Sequence, residues 1–94
     1  MNGKEKHQAE ELIQEDVFSE DSYTLWLIND NFNTFDYVID NLMELCNHSY
    51  EQAYQCAFIA HNHGKCDILW GLYAKLKPIA IAMLNRGLTV IITP

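Results

Sequence analysis

Basic residues are scarce in this chain: six Lys and Arg stand against thirteen Asp and Glu in 94 residues, for a net charge of −7. So few cations make a poor match for a phosphate backbone or an anionic bilayer, and neither nucleic acid nor membrane is expected as a partner. Cysteine is limited to Cys46, Cys56 and Cys66, an odd number with no C-x-x-C pair. That argues against a disulfide framework and fits a reducing compartment. Cys46 and Cys56 fall on apolar helix faces, as small buried hydrophobes do. No apolar run reaches the roughly 18 residues that a membrane span needs. The first residues lack the apolar core of a secretory signal, so a cytosolic chain is expected. There is no Gly-rich phosphate loop, and no Ser or Cys nucleophile has a base at recognisable spacing. These absences weigh against an enzyme.

What remains is a chain with 49% hydrophobic residues, enough for one globular domain with a modest core. The acidity is concentrated at one end: residues 1–22 carry −5 and residues 23–94 carry −2. The expected division is an acidic, flexible extension over 1–22 and a folded domain over 23–94. Gln8 to Gln14 could add a helical turn or two, a length that is marginal without a partner.

Tyr23 to Asn29 is rich in β-formers and aromatics and reads as a strand. A turn follows over Asn29–Asn33. From about Thr34 to Cys46, the residues Phe35, Val38, Ile39, Leu42, Met43 and Cys46 fall on one helical face. Ser49 with Gln52 predicts a capping box for a second helix, which Gly64 ends in the left-handed conformation. Cys66 to Tyr73 reads as a strand. Pro78 suits the first turn of a third helix with its core at Ile79–Leu84, ended by Gly87. Leu88 to Thr93 is a third strand. The expected fold is α+β in the order β-α-α-β-α-β, a three-stranded antiparallel sheet packed against three helices.

Two polar clusters stand out: Asn29-Asp30-Asn31-Phe32-Asn33, between strand and helix, and His61-Asn62-His63-Gly64-Lys65, at the end of helix two. They read as the rim of one pocket in a small binding module. Leu27-Ile28-Asn29-Asp30-Asn31-Phe32, Tyr37-Val38-Ile39-Asp40 and His61-Asn62-His63-Gly64-Lys65, in this order on these elements, resemble the ClpS family. That family comprises bacterial adaptors that deliver N-degron substrates to the Clp protease. The likeness spans about Tyr23 to Thr93, and Ala82-Met83-Leu84-Asn85 and the acidic front end agree with it.

The resemblance implies a non-catalytic adaptor in the bacterial cytoplasm, with no cofactor and no metal. Its partners would be N-degron substrates and an AAA+ unfoldase of the ClpA type, which the extension helps to engage. It further implies that Asn29 and His61 bind the substrate's α-amine directly, with Asp30 acting nearby. The apolar socket for the first side chain would be lined by Phe35, Val38, Ala57, Ala60 and Val90, with Asn33 near the mouth. The chemistry is consistent with these residues. A protonated amine presents three donors, and Asn, Asp and neutral His supply acceptors. Burying a Leu or Phe side chain contributes about 1.5–3 kcal/mol.

The chain departs from the family pattern at Asn31, Asn33, Thr34 and Phe35, where Asp, Thr, Pro and Met are common. Ala57 and Ala60 are smaller than usual. One socket wall has gained bulk and the opposite wall has lost it. Asp67 to Lys77 aligns poorly, so the family's docking positions cannot be placed there. Other readings stay open. Asn29-Asp30-Asn31 could be a plain turn. The chain could be an interaction module of this fold with altered or lost N-degron binding. Asp30 with His61 could serve a small hydrolase, and His61, His63, Cys66 and Asp67 could form a metal cluster, although the 61/63 spacing splits the two imidazoles.

Overall fold

The computed structural model describes residues 22–94. The extension expected over 1–22 lies, apart from Ser22, outside the described residues. The elements are β1 (Tyr23–Ile28), α1 (Phe35–Cys46), α2 (Tyr50–His63), β2 (Lys65–Gly71), α3 (Tyr73–Asn85) and β3 (Val90–Thr93). This is the expected order.

β1 is the central strand of a sheet ordered β2-β1-β3, antiparallel on both sides. Its alternation decides the layering. Tyr23, Leu25 and Leu27 are buried, whereas Thr24, Trp26 and Ile28 are only half-buried. Side chains along a strand point alternately to opposite faces, so the buried set meets the helices. Ile68, Val90 and Ile92 are buried with that set from the flanking strands. On the other face, Trp26 donates its indole N–H to Thr93 Oγ1 at 2.8 Å, and Lys65 Nζ lies 4.5 Å from the Trp26 ring centre. Trp70 is largely exposed.

The helices begin and end for local reasons. Thr34 caps α1 by accepting from the Tyr37 N–H at 3.1 Å. Ser49 and Gln52 satisfy each other's backbone N–H groups at the start of α2, and Gly64 ends it with φ 96°. After α3, the N–H of Gly87 bonds the carbonyl of Leu84, and that of Leu88 bonds Met83. With Gly87 at φ 86°, this is a Schellman ending, which a residue without Cβ adopts at little cost.

Three sequence expectations need correction. β2 ends at Gly71, two residues early, because Leu72 already caps a helix: its carbonyl accepts from Lys75 and Leu76. α3 therefore starts at Tyr73, and Pro78 is its sixth residue, not part of its first turn. The cause is packing. Leu76, Ala80 and Met83 are buried on one stripe at spacings of four and three, and Tyr73 sets its ring edge-on to Tyr23 at 5.4 Å. Anchors on both sides of Pro78 outweigh the bond it cannot make. Ile79, Ile81 and Leu84 are only partly buried, around this stripe. On α1, Met43 is 39% exposed and Asn41 is buried instead. The Asn41 side chain is engaged at both ends, donating to Tyr37 O and accepting from Arg86 at 2.8 Å in each case.

All three cysteines are free and buried. Burial pushes the Cys46 thiol up to about 11, and it raises Cys56 and Cys66 as well, so each behaves as a packing residue. No helix among the described residues is long and apolar enough to cross a membrane. Among the same residues, no three His, Cys, Asp or Glu side chains converge as a metal site.

Candidate functional site

Where β1 ends, its backbone is held from two sides. The Ile28 N–H bonds Thr89 O at 2.8 Å, and the Asn29 N–H bonds Gly64 O at 2.9 Å. The turn after β1 is thereby fixed both to the approach of β3 and to the end of α2. A cleft of about 360 Å³ opens between that turn and α2, lined by Leu27 to Asp30, Asn31, Asn33, Phe35, Val38, Ala57, Ala60 and His61.

Eight of the nine residues expected at the site meet in this cleft. Val90 does not. It is fully buried on β3, paired with Leu27, and Leu27 lines the cleft in its place. Leu27, Ile28 and Asn31 are lining residues that the sequence reading left to a strand and a turn. The signal for Leu27 was available, because an inward-facing residue at a strand end must border whatever opens beyond it.

Asp30 organises the turn. Its Oδ1 accepts the N–H groups of Phe32 and Asn33, each at 2.9 Å. Its Oδ2 accepts Asn33 Nδ2 at 2.8 Å and Thr89 Oγ1 at 3.3 Å. A carboxylate has about four lone-pair sites, so these bonds use its accepting capacity. Partial burial disfavours the charge. The hydrogen bonds from the Asn33 backbone and side chain, Phe32 and Thr89 outweigh it and hold the carboxyl below the ordinary value of 3.8. Asn33 also donates to Gly87 O at 2.9 Å. The turn is thus pinned to the corner between α3 and β3.

That corner is in turn fastened to α1. Tyr37 donates its hydroxyl to Arg86 O at 2.6 Å, and the Arg86 guanidinium reaches Asn41 and both carboxylate oxygens of Glu44. Tyr37, Asn41 and Glu44 follow at one-turn spacing, so a single stripe of α1 holds Arg86. The chelating guanidinium lowers the Glu44 carboxyl.

Two of the groups expected to bind an amine are left available, as is the side chain of Asn31 beside them. Among the described residues, neither the Asn29 side chain nor the His61 ring nitrogens make a hydrogen bond. Both residues are exposed. Ala57 and Ala60 lie below them, nearly inaccessible at 4% and 2%. The Phe35 ring stands edge-on to Tyr54 at 5.9 Å and to His61 at 5.7 Å. It bridges the two turns of α2 that carry Ala57, so the larger residue of one wall faces the smaller residues of the other. The cleft therefore combines an apolar floor, an aromatic wall and free polar groups at its rim. No cation lines it. This arrangement can hold an apolar side chain that carries an adjacent protonated amine.

The chain is similar to several known proteins. The sequence model described as ATP-dependent Clp protease adaptor protein ClpS matches residues 18–85. The chain is 32% identical over 79 residues to the ATP-dependent Clp protease adapter protein ClpS of Sodalis glossinidius, covering 82% of this chain and 74% of that one. It is 30% identical over 73 residues to the protein of the same description from Treponema denticola, covering 78% and 70%. A solved structure of Agrobacterium tumefaciens ClpS2 bound to L-phenylalaninamide has the same fold, with a TM-score of 0.69 at 18% identity. The likeness covers 81% of this chain and 99% of that one.

Proposed function

Because the chain belongs to the ClpS family of Clp protease adaptors, we propose that its cleft holds the free, bulky hydrophobic N-terminal residue of an N-degron substrate. The adaptor then hands that substrate to an AAA+ unfoldase of the ClpA type in the bacterial cytoplasm. The observation that carries this reading is the pairing of Asn29 and His61 at the mouth, unengaged among the described residues, with the apolar walls of Phe35, Val38, Ala57 and Ala60 beneath.

Each residue has a physical role. Asn29 offers a carbonyl oxygen and His61 a ring nitrogen to the α-ammonium group. Asp30 acts through the turn: with its oxygens engaged by Phe32, Asn33 and Thr89, it positions Asn29 and adds a negative field without gripping the amine. The same saturation supports a binder over a hydrolase, since a carboxylate with no open lone pair and a lowered proton affinity is a weak general base. A micromolar Kd corresponds to about −8 kcal/mol, which the amine contacts and one buried side chain can supply after ordering costs.

The test is fluorescence anisotropy with labelled peptides beginning Phe, Leu or Arg. Phe and Leu are expected to bind and Arg to fail. His61→Ala should weaken Phe binding about tenfold, the worth of roughly one charge-assisted hydrogen bond, with an unchanged unfolding midpoint. Equal affinity for all three peptides would sink the reading in favour of a family member that has lost N-degron binding. Deleting residues 1–20 should spare peptide binding and impair degradation of a Phe-initiated reporter by the unfoldase and protease. Loss of both would assign the extension to the pocket.

A further inference from the structure

The exposed face of α2 carries more aromatic surface than its packing uses. Tyr50, Tyr54 and Phe58 are 57%, 43% and 50% exposed, so they are not core residues. Tyr54 stacks on Phe58, with ring centres 6.3 Å apart and planes 12° off parallel, and Tyr50 follows at 6.2 Å. Tyr50 and Tyr54, with Glu51 and Gln55, line a shallow depression of about 330 Å³.

This depression continues the cleft. Residues 50, 54, 57 and 61 lie at helical spacings 0, 4, 7 and 11, a single line along α2. Ala57 and His61 belong to the cleft, while Tyr50 and Tyr54 belong to the depression. The Phe35 ring touches both Tyr54 and His61 and joins the two. At 1.5 Å per residue the line is roughly 16 Å long. An extended peptide advances about 3.3 Å per residue, so a chain leaving the cleft would lay its next three or four residues along it.

Resting on the reading of the cleft as an N-terminal pocket, we propose that the Tyr50–Tyr54 depression is a second subsite, which takes a basic side chain two to four residues after the docked N-terminus. The chemistry selects a cation. The depression presents aromatic faces and the Glu51 carboxylate, and α2 has no Lys or Arg anywhere along its length. A guanidinium lies flat on a tyrosine ring and bonds a carboxylate at its edge, whereas an acidic side chain meets only like charge and π density.

The experiment uses the full chain and four labelled peptides beginning Phe-Ala-Ala-Ala-Ala, Phe-Ala-Arg-Arg-Arg, Phe-Ala-Glu-Glu-Glu and Phe-Ala-Trp-Trp-Trp, which place the varied side chains two to four residues after the N-terminus. The Arg peptide is expected to bind about fivefold tighter than the Ala peptide, and the Glu peptide more weakly than either. In Tyr50→Ala and in Glu51→Gln, both at exposed positions outside the cleft, the Arg-to-Ala ratio should fall towards one. Equal affinity of the Arg and Ala peptides for the native protein overturns the subsite, as does a ratio that survives both substitutions. A gain for the Trp peptide alone overturns its preference for a cation. Failure of the Ala peptide to bind would instead refute the N-terminal pocket itself, and the subsite with it.

Discussion

Acetylating the α-amine of a Phe-initiated peptide will weaken its binding by about two orders of magnitude or more, because at least two charge-assisted hydrogen bonds of roughly 1.5–3 kcal/mol each are lost. The groups concerned are the Asn29 carbonyl oxygen and a His61 ring nitrogen, rim acceptors that no other described residue engages. An amide nitrogen donates one proton where the ammonium donates three, and it carries no charge to meet the acidic turn. The acetyl group also adds bulk at the rim, where the turn is tied to Gly64 and Thr89 and cannot retreat without breaking those bonds. Anisotropy with the paired peptides measures the effect. A ratio near one would mean that the cleft reads the side chain alone, and the amine roles of Asn29 and His61 would fall.

Asp30→Ala will be the most damaging substitution at the site, although the side chain need not touch the ligand. It removes the acceptor for four donors, two of them backbone N–H groups at 2.9 Å. The turn that presents Asn29 then loses its internal bonds and its link to Thr89. Expected costs are about 2–3 kcal/mol of stability and about a tenfold or greater rise in Kd. The pH dependence identifies the cause. The folded-state carboxyl is held below 3.8 although partial burial opposes the charge, because the bonds from Asn33, Phe32 and Thr89 prevail. A depressed folded pKa contributes stability that is present above the unfolded value and lost as pH falls through the folded one. The stability advantage of native protein over Asp30→Asn should therefore be complete at about pH 6 and should shrink on acidification towards about pH 3. Urea unfolding of both proteins across that range decides it. A gap of constant size would show that shape at position 30, and not charge, holds the turn.

Much of the fold was legible because local signals and burial agreed. The spacing of Phe35, Val38, Ile39, Leu42 and Cys46 announced α1, and Ser49 with Gln52 announced the start of α2. Strand β1 was legible as a run of β-formers. Pro78 misled because a proline signals a helix start only where nothing upstream is anchored. Leu76 and Tyr73 are anchored, against a core that is not local in sequence. The cleft was legible through resemblance at Asn29, His61 and the α2 alanines. Val90 was not, since it is fully buried beside Leu27 on the neighbouring strand, and Leu27 is the one of the pair that lines the cleft. Nor was the clamp on Arg86, whose partners lie more than forty positions away along the chain.

By itself, the sequence determined the order of elements, the caps of α2 and the residue types at the cleft. These follow from composition and from contacts within a few residues, which any chain of this pattern must form. Tertiary structure alone decided which polar groups are free. Asn29 and Asp30 are neighbours of similar shape, yet Thr89 from the far end of the chain helps to saturate Asp30 while no described residue bonds the Asn29 side chain. It also decided that Phe35 joins the cleft to Tyr54, because two helices had to pack before those rings could meet. Hydrogen-bonding capacity is consumed by neighbours in space, and the sequence order does not state who those neighbours are.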